Sequence, residues 1–150
     1  MDESKIKQLV EEMTFPNGKN RDMTIDEVAV IQPGLGRIMP EIGARTWKLY
    51  YAGKAENWPN AMYQWKETTK LFELGAYTRP KHEDGIEEYL RDDWAPVKKA
   101  IENENLDEFM KAMEQAVDSA NAWHEKKEKG YIRWKVPSEA PPDLDLTPRK

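Results

Sequence analysis

His124 is the residue of this chain best placed to do chemistry. It stands seven residues after Val117 and eleven after Met113, spacings that return to nearly the same angle on an α-helix, so its imidazole belongs to an inward-facing stripe. A neutral imidazole in such a place can bind a metal through one nitrogen, act as a base, or donate to a buried carbonyl. Helical periodicity aims Met39, Ile42, Tyr50, Trp65 and Met113 toward the same interior, with Ala120 one turn before the histidine and Trp123 beside it. Arg45 and Lys48 flank the inward face of the segment that carries Met39 and Ile42. There they could hold an anionic group or serve as the electrophilic partner of a histidine base. The chain also has six tryptophans and six tyrosines. Helix-bundle cores use indoles sparingly unless the N–H finds a partner. Trp47, Tyr50, Tyr51, Trp58, Tyr63, Trp65, Trp94 and Trp123 therefore fit either a cavity for a flat ligand or a core and dimer interface built from large side chains.

Other chemistries lack their residues. There is no cysteine, which removes disulfides, thiolate catalysis and cysteine-bound metal. Glu41, Glu67 and Asp118 suggest a carboxylate metal site in a bundle core, but di-iron bundles need Glu-x-x-His pairs. The two histidines, His82 and His124, are preceded three residues earlier by Arg79 and Asn121, so no metal site is expected. No phosphate-binding loop, nucleophile elbow or zincin motif occurs, and Gly34-Leu35-Gly36 is only a helix-entry turn.

The elements that must position these residues are helical. Ile6, Leu9, Val10 and Met13 mark a short first helix, stopped by the turn residues Phe15-Pro16-Asn17-Gly18. Thr24 with Glu27 forms a capping box for a brief second helix reaching Ile31, and the two together read as a packing arm over residues 1–33. A main helix starts between Leu35 and Pro40 and ends near Gly53; another runs from its N-cap Asn57 to Gly75, antiparallel to the first because the connection is short. After a polar loop over 75–84, Asp84 with Glu87 caps a third helix bearing Ile86, Tyr89, Leu90, Trp94, Val97 and Ile101, with Pro96 as a kink. Asn105 with Glu108 caps a fourth, whose stripe of Leu106, Phe109, Met110, Met113, Val117, Ala120 and His124 continues toward Gly130. No strand pattern stands out beyond a short extended piece at 131–136. Prolines at 137, 141, 142 and 148 predict an extended tail over 131–150. The expected fold is all-α: an up-down four-helix bundle over 34–130 in a single domain.

The stretch Asp118-Ser119-Ala120-Asn121-Ala122-Trp123-His124 resembles the haem-attachment end of the bacterial four-helix c-type cytochromes, the cytochrome c-prime-like family, with Ala120 and Trp123 where the two thiols would be. Gly130-Tyr131-Ile132-Arg133-Trp134-Lys135-Val136-Pro137 is similar to that family's exit segment. Leu35-Gly36-Arg37-Ile38-Met39-Pro40-Glu41, Lys48 to Gly53 and Asn57 to Tyr63 are similar to its first hairpin, so the resemblance spans about residues 34 to 137. It implies the bundle fold and a former haem cavity in which Ala120 leaves free volume. Covalent haem needs the missing thiols, so no cofactor is expected. Three functions remain open: a haem-free bundle binding a small apolar or aromatic molecule, with acid–base chemistry at His124; a b-type cytochrome holding haem through His124 and Met39; and a structural module that forms a homodimer.

Composition narrows the partners. The 150 residues suit one core, and 39% hydrophobic with 34% charged residues argues against extended disorder. A net charge of −5 with no sustained basic run disfavours nucleic acid. No apolar run reaches the ~20 residues of a membrane span, and Met1-Asp2-Glu3-Ser4-Lys5 is no signal peptide. As written the chain reads as cytoplasmic; the resemblance implies a periplasmic ancestry if a leader has been removed.

Overall fold

The computed structural model describes residues 2–15 and 21–149, and they are mostly helical. The expected turn at Pro16-Asn17-Gly18 lies outside the described residues. The chain divides into two compact units, 1–33 and 34–150.

In the first unit α1 (Glu3–Glu12) opens on Asp2, whose carboxylate accepts from the Lys5 amide. α2 (Ile25–Val30) opens on the expected capping box, with Thr24 and Glu27 each bonding the other's backbone. Between them a pair of two-residue strands, β1 (Thr14–Phe15) and β2 (Met23–Thr24), runs antiparallel. Pairs this short carry no readable alternation, which is why sequence periodicity misses them. No residue of α1 or α2 is buried.

The second unit holds the core. α3 (Leu35–Lys54) and α4 (Trp58–Thr78) pack along each other. Leu35 at the start of α3 lies against Gly75 near the end of α4, so the two are antiparallel. Pro40 sits in the second turn of α3, and its missing bond falls on the carbonyl of the exposed Gly36. A 3-10 turn (Pro80–His82) leads directly into α5 (Glu83–Tyr89), whose N-cap is His82 without a side-chain cap. The expected cap at Asp84 is therefore corrected: the amide of Glu83 is already taken by the Pro80 carbonyl. Asp84 stands inside the first turn instead, where its charge suits the helix dipole.

A π-helical turn (Leu90–Trp94) joins α5 to α6 (Ala95–Glu102). Five residues span 500° of an α-helix and end on different faces, whereas a π turn returns them to one face. Tyr89 and Trp94 are thus both buried, with ring centroids 6.3 Å apart, and Pro96 enters as a first-turn residue of α6. α7 (Leu106–Lys126) opens on Asn105, which accepts from the Glu108 amide. The Glu108 carboxylate goes to the Asn103 side chain rather than completing a box.

Gly53 and Gly75, expected as helix stops, are close-packing positions inside helices. A Cβ at Gly53 would come within 2.2 Å of the Phe109 ring, and one at Gly75 within 2.7 Å of Leu35. The stops lie further on. Glu56, Glu104 and Glu128 have positive φ and close Schellman motifs: the amides of Asn57, Asn105 and Lys129 reach back to the carbonyls of Ala52, Ala100 and His124.

Candidate functional site

Two regions of the second unit received the residues singled out by sequence. The first lies between α4, the α5–α6 pair and α7. Trp65 and Trp94 stack at 6.4 Å, and Phe72 meets Trp94 and Tyr89 at 5.9 and 5.2 Å. Every polar atom of this group is used: Trp65 Nε1 donates to the Trp94 carbonyl, Trp94 Nε1 to Thr69 Oγ1, and the Tyr89 hydroxyl to the Ala116 carbonyl. Burial, with Asp93 nearby, raises the Tyr89 hydroxyl far above its ordinary range. Asp93 in the π turn accepts from the Ser119 hydroxyl at 2.6 Å, tying the turn to α7. Satisfied indoles of this kind are core, the alternative that the sequence left open for them.

The second region is the seam between α3 and α7. On α3, Ile42 is buried and Met39 and Tyr50 are half-buried against the core; on α7, Met113 is fully buried and Ala120 half-buried. The structure places Trp65 in the aromatic group instead of here. Met113 is 0% exposed and so faces the core beneath the seam. Trp123 turns toward α5, where its ring would lie 3.1 Å from a Cβ at Gly85, and Lys126 Nζ covers it at 4.2 Å. Arg45 bonds Glu41 at 3.2 Å and lies near enough to Glu67 of α4 to lower that carboxyl further, after Lys70. It therefore belongs to the α4 side of α3, and its expected pairing with His124 is not what the structure places. Lys48 is engaged by Asp143 at 2.6 Å.

His124 is half-buried in the last turn of α7, and its Nδ1 lies 2.9 Å from the Ile132 carbonyl. Residues 131–149 carry neither helix nor strand. The segment runs past the seam and along α3 as a strap. Asn121 grips Trp134 twice, donating to its carbonyl and accepting from its amide, each at 2.9 Å. The Trp134 indole lies on α3, where a Cβ at Gly43 would come within 2.8 Å of Nε1. Further along, the Tyr51 hydroxyl donates to the Pro137 carbonyl, Trp47 Nε1 to that of Glu139, and Asn57 Nδ2 to those of Leu146 and Thr147. Pro141 is buried and Leu146 packs against the core.

Asn121, Trp134 and Gly43 thus shape the site without having been assigned to it from the sequence, whereas Trp47 and Tyr51, read there as cavity or core aromatics, anchor the strap. The readable signal was a glycine inside α3 with aromatic donors on its outer face. Among the described residues no group of three or more His, Asp or Glu could hold a metal ion, and no helix is long and apolar enough to cross a membrane. No family model, curated protein or solved structure matches the chain.

Proposed function

We propose that the chain is a haem-free, cytochrome-like up-down four-helix bundle that binds a small apolar or aromatic molecule at the seam between α3 and α7, with His124 as the polar end of the site. The antiparallel contact of α3 with α4, and the packing of α4 on α5 and α6 and of α7 on α3 and α6, support the bundle. The observation that carries the ligand reading is the bond between His124 Nδ1 and the Ile132 carbonyl. A carbonyl only accepts, so Nδ1 holds the proton. In the neutral form of the ring the lone pair then falls on Nε2, where it can accept from a ligand hydroxyl or amine, take its proton, or bind a metal. Met39, Ile42, Tyr50 and Ala120 supply apolar walls.

A thermal-shift screen of small aromatic compounds should find binders whose effect disappears in His124→Ala, and in Ala120→Leu, which fills the seam. Binding that survives both substitutions would place the site elsewhere. A second reading, non-covalent haem on His124 and Met39, is favoured by the same free Nε2. Trp123, which stands where the resembled family carries a porphyrin-bound sulfur, turns toward α5 and leaves the seam to either ligand. The purified protein is expected to show no Soret band; stoichiometric uptake of added haem, lost in His124→Ala, would establish the haem reading. The homodimer is supported by Tyr63, Leu74 and Tyr77, which leave large apolar surface exposed on α4. Sedimentation of Tyr77→Lys against the unaltered chain tests it.

A further inference from the structure

The helices hold residues 131–147 in one particular way. Side-chain donors take the strap's main-chain carbonyls one at a time, from His124 at Ile132 to Asn57 at Leu146 and Thr147. A segment held by separate contacts, with no strand ladder or helix of its own, opens locally without unfolding what it covers. It departs from α7 through an exposed joint: Tyr131 is 78% and Ile132 46% exposed.

At the seam this strap presents a single aromatic side chain. Asn121 fixes the backbone of Trp134 on both sides, and the indole lies half-exposed on helix backbone left bare by Gly43. The aromatic group at Trp65 and Trp94 is different, since its indole N–H groups are bonded within the core. Trp134 is thus a planar ring laid on the surface of a site, close to His124, whose Nδ1 is bound by the strap two residues earlier.

We propose that residues 133–147 are an internal competitor: the Trp134 indole occupies, in cis, the place of a planar aromatic ligand, and the ligand enters as the strap lifts beyond Ile132, whose carbonyl stays on His124 Nδ1. This rests on the seam reading above and adds to it the ligand class and its control. When the strap leaves, Gly43 offers a flat apolar floor and the Asn121 amide regains one donor and one acceptor. A planar molecule bearing an adjacent N–H and C=O meets all of these. The affinity of such a ligand is lowered by the fraction of molecules whose strap is closed.

Titration calorimetry with N-acetyltryptophanamide on the full chain tests this. Trp134→Ala should bind the probe at least ~10-fold more tightly than the unaltered protein, as expected when a competing closed state is removed. The double substitution Trp47→Phe, Tyr51→Phe, which deletes two strap bonds away from the seam, should shift affinity the same way, and serves if Trp134→Ala folds poorly. Adding Gly43→Leu to Trp134→Ala should abolish binding. In the unaltered protein, saturating probe should speed tryptic cleavage after Arg133 and Lys135. Equal affinity across these proteins, unchanged cleavage at saturation, or no binding by any of them overturns the strap. Probe binding that requires His124 but ignores the strap substitutions overturns the strap and leaves the seam reading standing, whereas strap-dependent binding unchanged in His124→Ala overturns the role given to His124.

Discussion

The two flanks of α7 are closed by different means. On the side of α4, α5 and α6, helical side chains meet one another: Trp65, Phe72, Tyr89 and Trp94 pack together, and their polar groups are taken by the Trp94 carbonyl, Thr69 Oγ1 and the Ala116 carbonyl. On the side of α3 the helices leave bare backbone at Gly43, and an extended segment from beyond α7 supplies the missing ring. The first closure is made within the helical core, where Tyr89 and Trp94 are buried. The second is an extended segment anchored through individual side chains along α3, with Leu146 packed against the core.

The largest expected contrast is between two tryptophans. Trp94→Ala removes a side chain 1% exposed and should cost ~3–5 kcal/mol, with Thr69 Oγ1 losing the N–H it accepts from. Trp134→Ala, at a half-exposed position, should cost only ~1 kcal/mol, about half the value of fully burying a large side chain. Urea unfolding measures both, and equal losses would remove the distinction between the flanks.

Two glycines of one helix sharpen it further. Gly53→Ala drives a methyl into the Phe109 ring, which is 0% exposed and cannot yield, so a loss of ~1–3 kcal/mol is expected despite the better helix propensity of alanine. Gly43→Ala meets an indole that can swing outward. The ~1 kcal/mol gained in propensity then offsets the weaker packing of the displaced ring, leaving stability near its starting value while tryptic cleavage of the strap accelerates. A stability loss at position 43 matching that at position 53 would mean that the strap is as rigid as the core.

Smaller effects follow pH. The bond from Lys48 holds the Asp143 carboxyl below its ordinary 3.8. A depressed acid stabilises the fold fully above its ordinary value and loses that contribution as pH falls through the depressed one. Strap resonances followed by NMR should therefore shift toward the released state below about pH 4, and Asp143→Asn should show the released positions already at neutral pH. His82 is held below 6.5 by burial first, then by Lys81 and Lys127. Its contribution is present above 6.5 and declines as pH falls through the depressed value, so a slight fall in melting temperature from pH 7 to 5 should be absent in His82→Gln.

Legibility in the sequence followed the same division. Helical periodicity gave the elements around the aromatic group, and local cap chemistry gave Thr24, Asn57 and Asn105 as helix starts. Each of those signals lies within a few residues of what it specifies. Gly53 and Gly75 misled because a glycine that lets a neighbour approach reads the same as one that ends a helix. The strap escaped as a partner of α3 because its contacts are to main-chain carbonyls, which every residue possesses, across separations such as 92 residues from Trp47 to Glu139. The pairing of Asn121 with Trp134 was not readable, since neither periodicity nor motif links two residues through one backbone unit.

The glutamates that end α3, α6 and α7 have a consequence for solubility. A left-handed backbone costs an ordinary residue ~1–2 kcal/mol that glycine does not incur, so Glu56→Gly, Glu104→Gly and Glu128→Gly together would raise heat tolerance without touching the core. The same three changes would move a net charge of −5 toward neutrality, where molecules stop repelling one another and begin to associate. At these three turns the chain keeps dispersed molecules apart in solution at the expense of its most relaxed backbone, and concentrated preparations of the triple variant would be the first to cloud.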